Sequence, residues 1–307
     1  MRVGFVGLGL MGSRMAENIL RGGFDLSVYD LNVAAAERLQ KKGATIAEDV
    51  ASLVGAVDVL FTSLPGPVEI EEVVYGAGGV IDNKAEDLAY FDLSTSSRSL
   101  SRRIAADFAA TGGYMFDAPV SGGISGAETG DLAIWVGGDQ AGYREYEDLL
   151  KAFGKPVYFG PSGSGNVVKL AHNLLGFMLM ESLAEVFSIG VTAGVDPLDL
   201  WKALRTGSAG KGSPLDLLVK QFLPGRYDEP AFALRLAHKD ALLGTGLARE
   251  LGVPSRVANL VQEEMTEAMA RGFGDRDMRS FLTVQLERVG VEIAVDPERL
   301  REALGEV

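Results

Sequence analysis

Arg2-Val-Gly-Phe-Val-Gly-Leu-Gly-Leu-Met-Gly12 (RVGFVGLGLMG) decides the fold. Arg2 to Val6 is a short apolar run that reads as a strand, and Met11 to Arg21 carries helix-compatible residues. The turn between them, Gly7-Leu-Gly9-Leu-Met-Gly12, matches G-x-G-x-x-G. Gly7 permits a tight turn, Gly9 lets backbone approach a pyrophosphate, and Gly12 lets helix and strand pack closely. The helix that follows offers amide donors and a positive dipole end to phosphates. Leu10 and Met11 lie inside the same loop, at the edge a cofactor would meet. A glycine turn serving only packing would carry the same triplet. The strand before, the helix after and an acidic residue farther on together point to a dinucleotide.

That acidic residue is Asp30, which closes a second strand, Leu26 to Tyr29. There a carboxylate can accept hydrogen bonds from a ribose 2′-hydroxyl, whereas a 2′-phosphate would meet like charge. The other reading of Asp30 is that it merely caps the next helix. Arg21 and Arg38 are near in sequence, but neither follows the strand directly. NAD is therefore the expected cofactor, with NADP possible.

Outward from this loop, strands and helices alternate. Ala34–Lys42 suits a helix, Val57–Thr62 a strand, Val68–Tyr75 a helix, Leu88–Asp92 a strand, Ser97–Ala110 a helix and Tyr114–Asp117 a strand. Ile134–Val136 and Val157–Phe159 extend the sheet around a helix at Tyr143–Ala152. The pattern predicts an α/β fold with a doubly wound, mostly parallel sheet. It changes after Pro161-Ser-Gly-Ser-Gly165. From Asn166 to about Ala193 there is no proline and little alternation, which predicts one long helix. Helices are then expected at Leu198–Leu204, Ala233–Leu251, Ser255–Arg271 and Asp277–Val289, with a charged tail helix from Asp296. The expected division is a dinucleotide-binding domain over 1–162 and an all-helical domain over 163–307.

Composition narrows the class. The 307 residues are 47% hydrophobic, enough for sizeable cores. Net charge is −13, which disfavours a nucleic-acid surface and requires a local positive pocket for any anionic ligand. With no cysteine and two histidines, His172 and His238, neither a thiolate nor a histidine metal site is expected. The apolar run on the long helix, Leu174 to Met180, is too short to span a bilayer. The start of the chain reads as a strand and not a signal peptide. A soluble, cytoplasmic protein is the expectation.

Two further stretches carry chemistry. Asp117-Ala-Pro-Val-Ser121-Gly122-Gly123-Ile-Ser-Gly126-Ala-Glu-Thr-Gly130 follows a strand and is too glycine-rich to predict a regular element. Its amides can form a nest for a carboxylate, with Ser121 adding a hydroxyl; a surface loop without ligand is the other reading. Gly163-Ser-Gly-Asn-Val-Val-Lys169-Leu-Ala-His-Asn173 opens the long helix. Lys169 and Asn173, four apart, share a face, with Asn166 near it. A lysine in a partly dry cleft can give or take a proton, and an asparagine presents both donor and acceptor. A lone lysine with a solvated head is the commoner case. His172 fits a structural or flanking role better than that of a ligand.

GLGLMGSRMAENIL, DAPVSGGISGAETGDL, GSGNVVKLAHN and HKD, in that order over nearly the whole chain, resemble the β-hydroxyacid dehydrogenases of the 3-hydroxyisobutyrate dehydrogenase group. The resemblance implies a Rossmann domain and an all-helical domain joined by the long helix, with cofactor between them. It implies reversible oxidation of a 3-hydroxy acid to its semialdehyde. Lys169 resembles the family's catalytic lysine and Asn173 its companion amide. Ser121, Gly122 and Gly123 resemble the substrate-carboxylate loop. Leu64 and Pro65 of SLPGP, with Thr95 of DLSTSS, resemble cofactor and substrate-edge contacts, and Lys239 of HKD the lysine that reaches the cofactor. His172 departs from an asparagine common there, DLSTSS lacks a frequent proline, and Ser208-Ala-Gly-Lys211 occupies a variable, substrate-choosing region. On residues alone, Lys239 and Asp240 also fit a surface ion pair. An imine reductase of related architecture, which often lacks this lysine, and a non-catalytic dinucleotide-binding protein are the competing readings. The amphipathic helices Ala233–Leu251 and Ser255–Arg271 suit a homodimer or homotetramer.

Overall fold

Short runs that are apolar at every position form strands when both faces of a sheet are covered, and the first half of the chain does this repeatedly. The computed structural model describes residues 1–192, 194–207, 218–250 and 256–304. In order come β1 (Arg2–Val6), α1 (Gly12–Arg21), β2 (Asp25–Tyr29), α2 (Val33–Gln40), β3 (Thr45–Ile46), α3 (Val50–Val54) and β4 (Val59–Thr62). Next are α4 (Pro67–Tyr75), α5 (Val80–Asn83), β5 (Ala89–Asp92), α6 (Arg98–Thr111), β6 (Tyr114–Asp117), β7 (Val120–Ser121) and α7 (Gly123–Thr129). Then follow β8 (Leu132–Gly137), α8 (Gln140–Leu150), β9 (Gly154–Gly160) and α9 (Ser164–Thr192). The remaining helices are α10 (Pro197–Thr206), α11 (Leu234–Glu250), α12 (Arg256–Ala270), α13 (Leu282–Arg288) and α14 (Pro297–Leu304). The chain divides into two compact units, Met1–Leu170 and Ala171–Val307, so the first turns of α9 pack with the first.

The sheet runs β3-β2-β1-β4-β5-β6 with every neighbour parallel. This is the order of a dinucleotide-binding α/β domain. β8 turns antiparallel against β6 and β7, and β9 joins β8 in parallel. The expected mostly parallel, doubly wound sheet is what forms. Side chains alternate between its faces. Phe5, Phe61, Phe91 and Phe116 stand at matched register on one face, with adjacent rings 6.0, 5.4 and 4.3 Å apart. Their neighbours Val6, Leu60, Tyr90 and Met115 enter the separate core on the other face. Burying each phenylalanine contributes about 1.5–3 kcal/mol.

The stretch after Asp117 corrects its sequence reading. Val120 and Ser121 pair with Ile134 and Ala133, and Gly123–Thr129 is helical despite its glycines. Packing supplies what propensity lacks. Ala127 is buried, its carbonyl accepts from Asn18 Nδ2 at 2.7 Å, and Arg14 pairs with Glu128 at 2.8 Å. Gly130, left-handed at φ 71°, ends the helix. β3 and α3 are also new relative to the sequence reading. The two-residue strand is too short for a period to register, and α3 is set by a capping box between Asp49 and Ser52.

The second unit is helical throughout its described regular elements and buries Phe187, Trp201, Phe222 and Phe281 in one core. The helix expected over Asp277–Val289 begins instead with a 3-10 turn, Met278–Phe281. The cause is Asp277, fully buried. Its carboxylate accepts from the Ala231 and Arg279 amides at 3.1 and 3.0 Å and from the Arg279 guanidinium at 2.9 Å. Ser208–Lys211, read as a substrate-choosing region, lies outside the described residues.

Candidate functional site

Ligands of open parallel sheets sit beyond the carboxyl ends of the strands, and the motif residues of the first unit gather there. Gly7 has φ +93°, and a Cβ on it would stand 2.3 Å from the Ser63 carbonyl oxygen. A Cβ on Gly12 would fall 1.9 Å from the Gly7 oxygen. Both positions therefore exclude any side chain. At Gly9 a Cβ would meet nothing within 4 Å, so the outer side of the loop is open. The N-cap of helix α1, Met11, makes no side-chain cap bond, which leaves the helix end suited to an anion.

Asp30 holds this loop in place. Its Oδ2 accepts from the Leu8 amide at 2.5 Å and its Oδ1 from the Asn32 amide at 2.7 Å. A carboxylate has about four acceptor positions, so two contacts leave capacity for a ribose. The α2 cap is Asn32, with no side-chain cap bond, so Asp30 is not the helix cap. Beside the loop lies a cleft of about 690 Å³ lined by Leu8, Gly9, Leu10, Arg14, Asn32 and Arg38, among others. Arg21 and Arg38, which sequence spacing set apart from the site, both line it. An open Gly9, an uncapped helix start and this cleft fit a dinucleotide.

The neighbouring strand ends are wired to one another. The Leu64 amide donates to Ser94 Oγ at 2.8 Å, and a Leu64 methyl lies 3.1 Å from where a Gly7 Cβ would be. Pro65 is exposed, and Thr95 is half-buried between buried Ser94 and Ser96. Asp92, buried, accepts from Thr62 Oγ1 and the Ser94 amide, both at 3.0 Å. Ser121 is half-buried at the end of the sheet, and Gly122 and Gly123 after it take φ of 139° and 63°.

Asp117 and Asn166 went unassigned in the sequence, although both stand inside quoted motifs. Asp117 is fully buried at the end of β6 and accepts from the Gly163 and Asn166 amides at 2.6 and 2.8 Å. Burial pushes its carboxyl up to about 7. The two amides pull it down, and Asp92 adds to the rise. Gly165 is a glycine because a Cβ there would stand 2.2 Å from the Trp135 oxygen and 2.4 Å from the Asp117 oxygen. Lys169, one turn farther along α9, is half-buried.

Asn173 and Lys239 belong to the second unit, where Asp240 unites them. Asp240 is buried, accepts from Asn173 Nδ2 at 2.7 Å, and lies 2.9 Å from Lys239 Nζ. The surface ion pair considered for Lys239–Asp240 is therefore half wrong, because its acid is interior. His172 is exposed. His238 Nε2 lies 2.8 Å from Thr266 Oγ1, whose proton goes to the Gln262 carbonyl at 2.7 Å. The ring therefore donates, and burial holds its pKa below the ordinary value. No cluster of three possible metal ligands occurs among the described residues. Nor is any described helix long and apolar enough to cross a membrane.

Two family models match in tandem. Residues 2–163 match the NAD binding domain of 6-phosphogluconate dehydrogenase, and 163–285 the NAD-binding domain of NADP-dependent 3-hydroxyisobutyrate dehydrogenase. The 2-(hydroxymethyl)glutarate dehydrogenase of Eubacterium barkeri is 33% identical, covering 95% of this chain and 97% of its own. The chain belongs to the β-hydroxyacid dehydrogenase family. Another member, the 2-hydroxy-3-oxopropionate reductase of Escherichia coli K12, is 31% identical over 90% of this chain and 94% of its own. Among solved β-hydroxyacid dehydrogenases, the 3-hydroxyisobutyrate dehydrogenase of Salmonella typhimurium superposes with a TM-score of 0.81. It is 28% identical, covering 92% of this chain and 99% of that one. Family membership gives the chain a nicotinamide dinucleotide cofactor.

Proposed function

We propose that this dehydrogenase interconverts a small 3-hydroxy acid and its semialdehyde, with Lys169 as the proton-exchanging group and NAD(H) as preferred cofactor. The observation that carries the reading is Lys169 itself, half-buried one turn into a helix whose start is tied to the strand end bearing Thr95. A bound nicotinamide would supply the hydride acceptor for oxidation at the hydroxyl-bearing carbon and the hydride donor for reduction at the carbonyl carbon. Lys169 removes the hydroxyl proton in oxidation and returns it to the carbonyl oxygen in reduction. A free lysine titrates near 10.4, so the charged amine is the ready acid for reduction. Asn173, held by Asp240, presents its remaining amide atoms to the alcohol oxygen or carboxylate. The backbone amides of Gly122 and Gly123 and the hydroxyls of Ser121 and Thr95 receive the carboxylate.

The glycine loop with Leu10 and Met11, together with Leu64 and Pro65, lines the cofactor path, and Lys239 of α11 is assigned as a further cofactor contact. NAD preference rests on Asp30. The division of labour is a dinucleotide-binding segment over 1–162 and a helical one over 163–307. Exposed Leu175, Leu179, Leu242 and Leu260 on helices of the second unit support a homodimer or homotetramer. A cysteine-free chain suits the cytoplasm.

The test is a panel of 3-hydroxy acids and semialdehydes followed by nicotinamide absorbance, with Lys169→Ala alongside. The variant should lose about 10²–10⁴-fold in kcat and still bind NADH. Turnover within a few-fold of the unmutated protein would remove Lys169 from the chemistry.

A further inference from the structure

Asn166 is fully buried one turn before Lys169. A buried amide stays only where its polar atoms are used, and those of Asn166 reach three other elements. Its Oδ1 accepts from the Ser96 amide, next to Thr95, at 2.8 Å. Its Nδ2 donates to Ser101 Oγ on α6 at 3.1 Å. Its own backbone amide donates to Asp117 at 2.8 Å. Ser101 sends its hydroxyl proton to the Ser97 carbonyl at 3.2 Å, so toward Asn166 it is an acceptor. That order of donors fixes which way the amide faces, with its oxygen toward Ser96.

The second oxygen of Asp117 takes the Gly163 amide, and bare Gly165 and Gly137 bring backbone to backbone at the same point. The segment after β5, the end of β6 and the first turn of α9 thus form one hydrogen-bonded block. We propose that Asn166, backed by Asp117, is a positioning residue that sets the separation of the Thr95 segment from the turn bearing Lys169. It governs the rate of proton exchange and not the affinity for cofactor. This rests on Lys169 being the proton-exchanging group.

The experiment compares Asn166→Ala, Asn166→Asp and Ser101→Ala in the full chain. Asn166→Ala removes both side-chain bonds, whereas Asn166→Asp keeps the acceptor facing Ser96. A misplacement of about 1 Å costs about 10²-fold in rate. Asn166→Ala should therefore lose about 10–100-fold in kcat, with Asn166→Asp recovering part of it at the low end of the pH range, where its buried carboxyl keeps a proton to donate to Ser101. The NADH dissociation constant, read by fluorescence titration, should stay within about twofold in all three. Hydrogen exchange should rise together in segments 93–101 and 163–170 of Asn166→Ala.

A folded Asn166→Ala with unchanged kcat overturns the proposal. So does a loss of kcat that merely follows NADH affinity, or faster exchange in 163–170 while 93–101 stays protected. If Asn166→Ala does not fold, Asn166→Asp and Ser101→Ala decide by the same criteria, each with a smaller loss expected. Failure of the underlying reading looks different: Lys169→Ala then keeps its rate, and the positioning role falls with it. Failure of the positioning role alone leaves Lys169→Ala inactive and Asn166→Ala at full rate.

Discussion

Two glycines three residues apart should respond in opposite ways to one added methyl group. At Gly9 the new Cβ meets no protein atom within 4 Å, and no left-handed φ forbids it. Gly9→Ala should fold as the unmutated chain does, or gain about 0.4–1 kcal/mol through a less flexible unfolded state. If the pyrophosphate lies against this backbone, the same methyl stands where the ligand must approach. NADH affinity should then fall at least about tenfold, equivalent to about 1.4 kcal/mol. At Gly12 the Cβ falls 1.9 Å from the Gly7 carbonyl oxygen, against a tolerable limit near 3.0 Å. Helix α1 would have to shift by the difference, at a cost of about 1–3 kcal/mol for overpacking. For a unit of this size that lowers Tm by roughly 2–12 °C. Thermal melts and NADH fluorescence titrations on both variants read the two effects separately. A Gly9→Ala protein that binds NADH as tightly as the parent would refute the assignment of this loop to the dinucleotide.

Asp30→Ala should weaken NAD by about 10–100-fold, the range for losing a charged acceptor. It should also narrow the gap to NADP, because Arg38 lines the same cleft; tighter NADP than NAD in the unmutated protein would reverse the assignment. Asp117 gives a pH-dependent signature. Its folded pKa, about 7, lies above the ordinary 3.8, so its contribution to stability is full below about pH 4 and is lost as pH rises through 7. The stability of the unmutated protein minus that of Asp117→Asn, read from their melts, should therefore shrink from pH 5 to pH 8 by at most about 3 kcal/mol. A difference that grows with pH would mean that the two amides and the helix end outweigh burial.

Legibility in the sequence followed the range of the forces involved. The alternation of strands with helices was readable because it depends on neighbours within a few residues, and the glycine loop and Asp30 because their spacing is a fixed local signature, even though Gly7 meets Ser63 and Asp30 holds the Leu8 amide from farther off. Helix α7 was not, because Ala127, Asn18 and the Arg14–Glu128 pair stabilise it from elements far apart in sequence. The same limit hid Asp117 and Asp240. An aspartate before Ala-Pro looks like a turn residue, and one after lysine looks like half of a surface pair. What distinguishes them is burial against partners 46 and 67 positions away. Asn166 was noticed for its position near Lys169, but only the fold reveals Ser96 and Ser101 across from it. Arg38 was set aside because it does not follow the strand, whereas the helix carrying it turns one side into the cleft.

The way α9 begins makes the chain act as a ruler. Its origin is nailed down at Gly165, where no atom can be added, and from there every residue turns the helix by about 100°. One codon inserted or deleted between Gly165 and Lys169 would swing the amine a quarter-turn or more around the barrel of the helix, with no slack upstream to absorb it. Related genes should thus tolerate length changes at open turns such as that around Gly43, where an added Cβ would meet nothing within 4 Å, and reject them in this short interval.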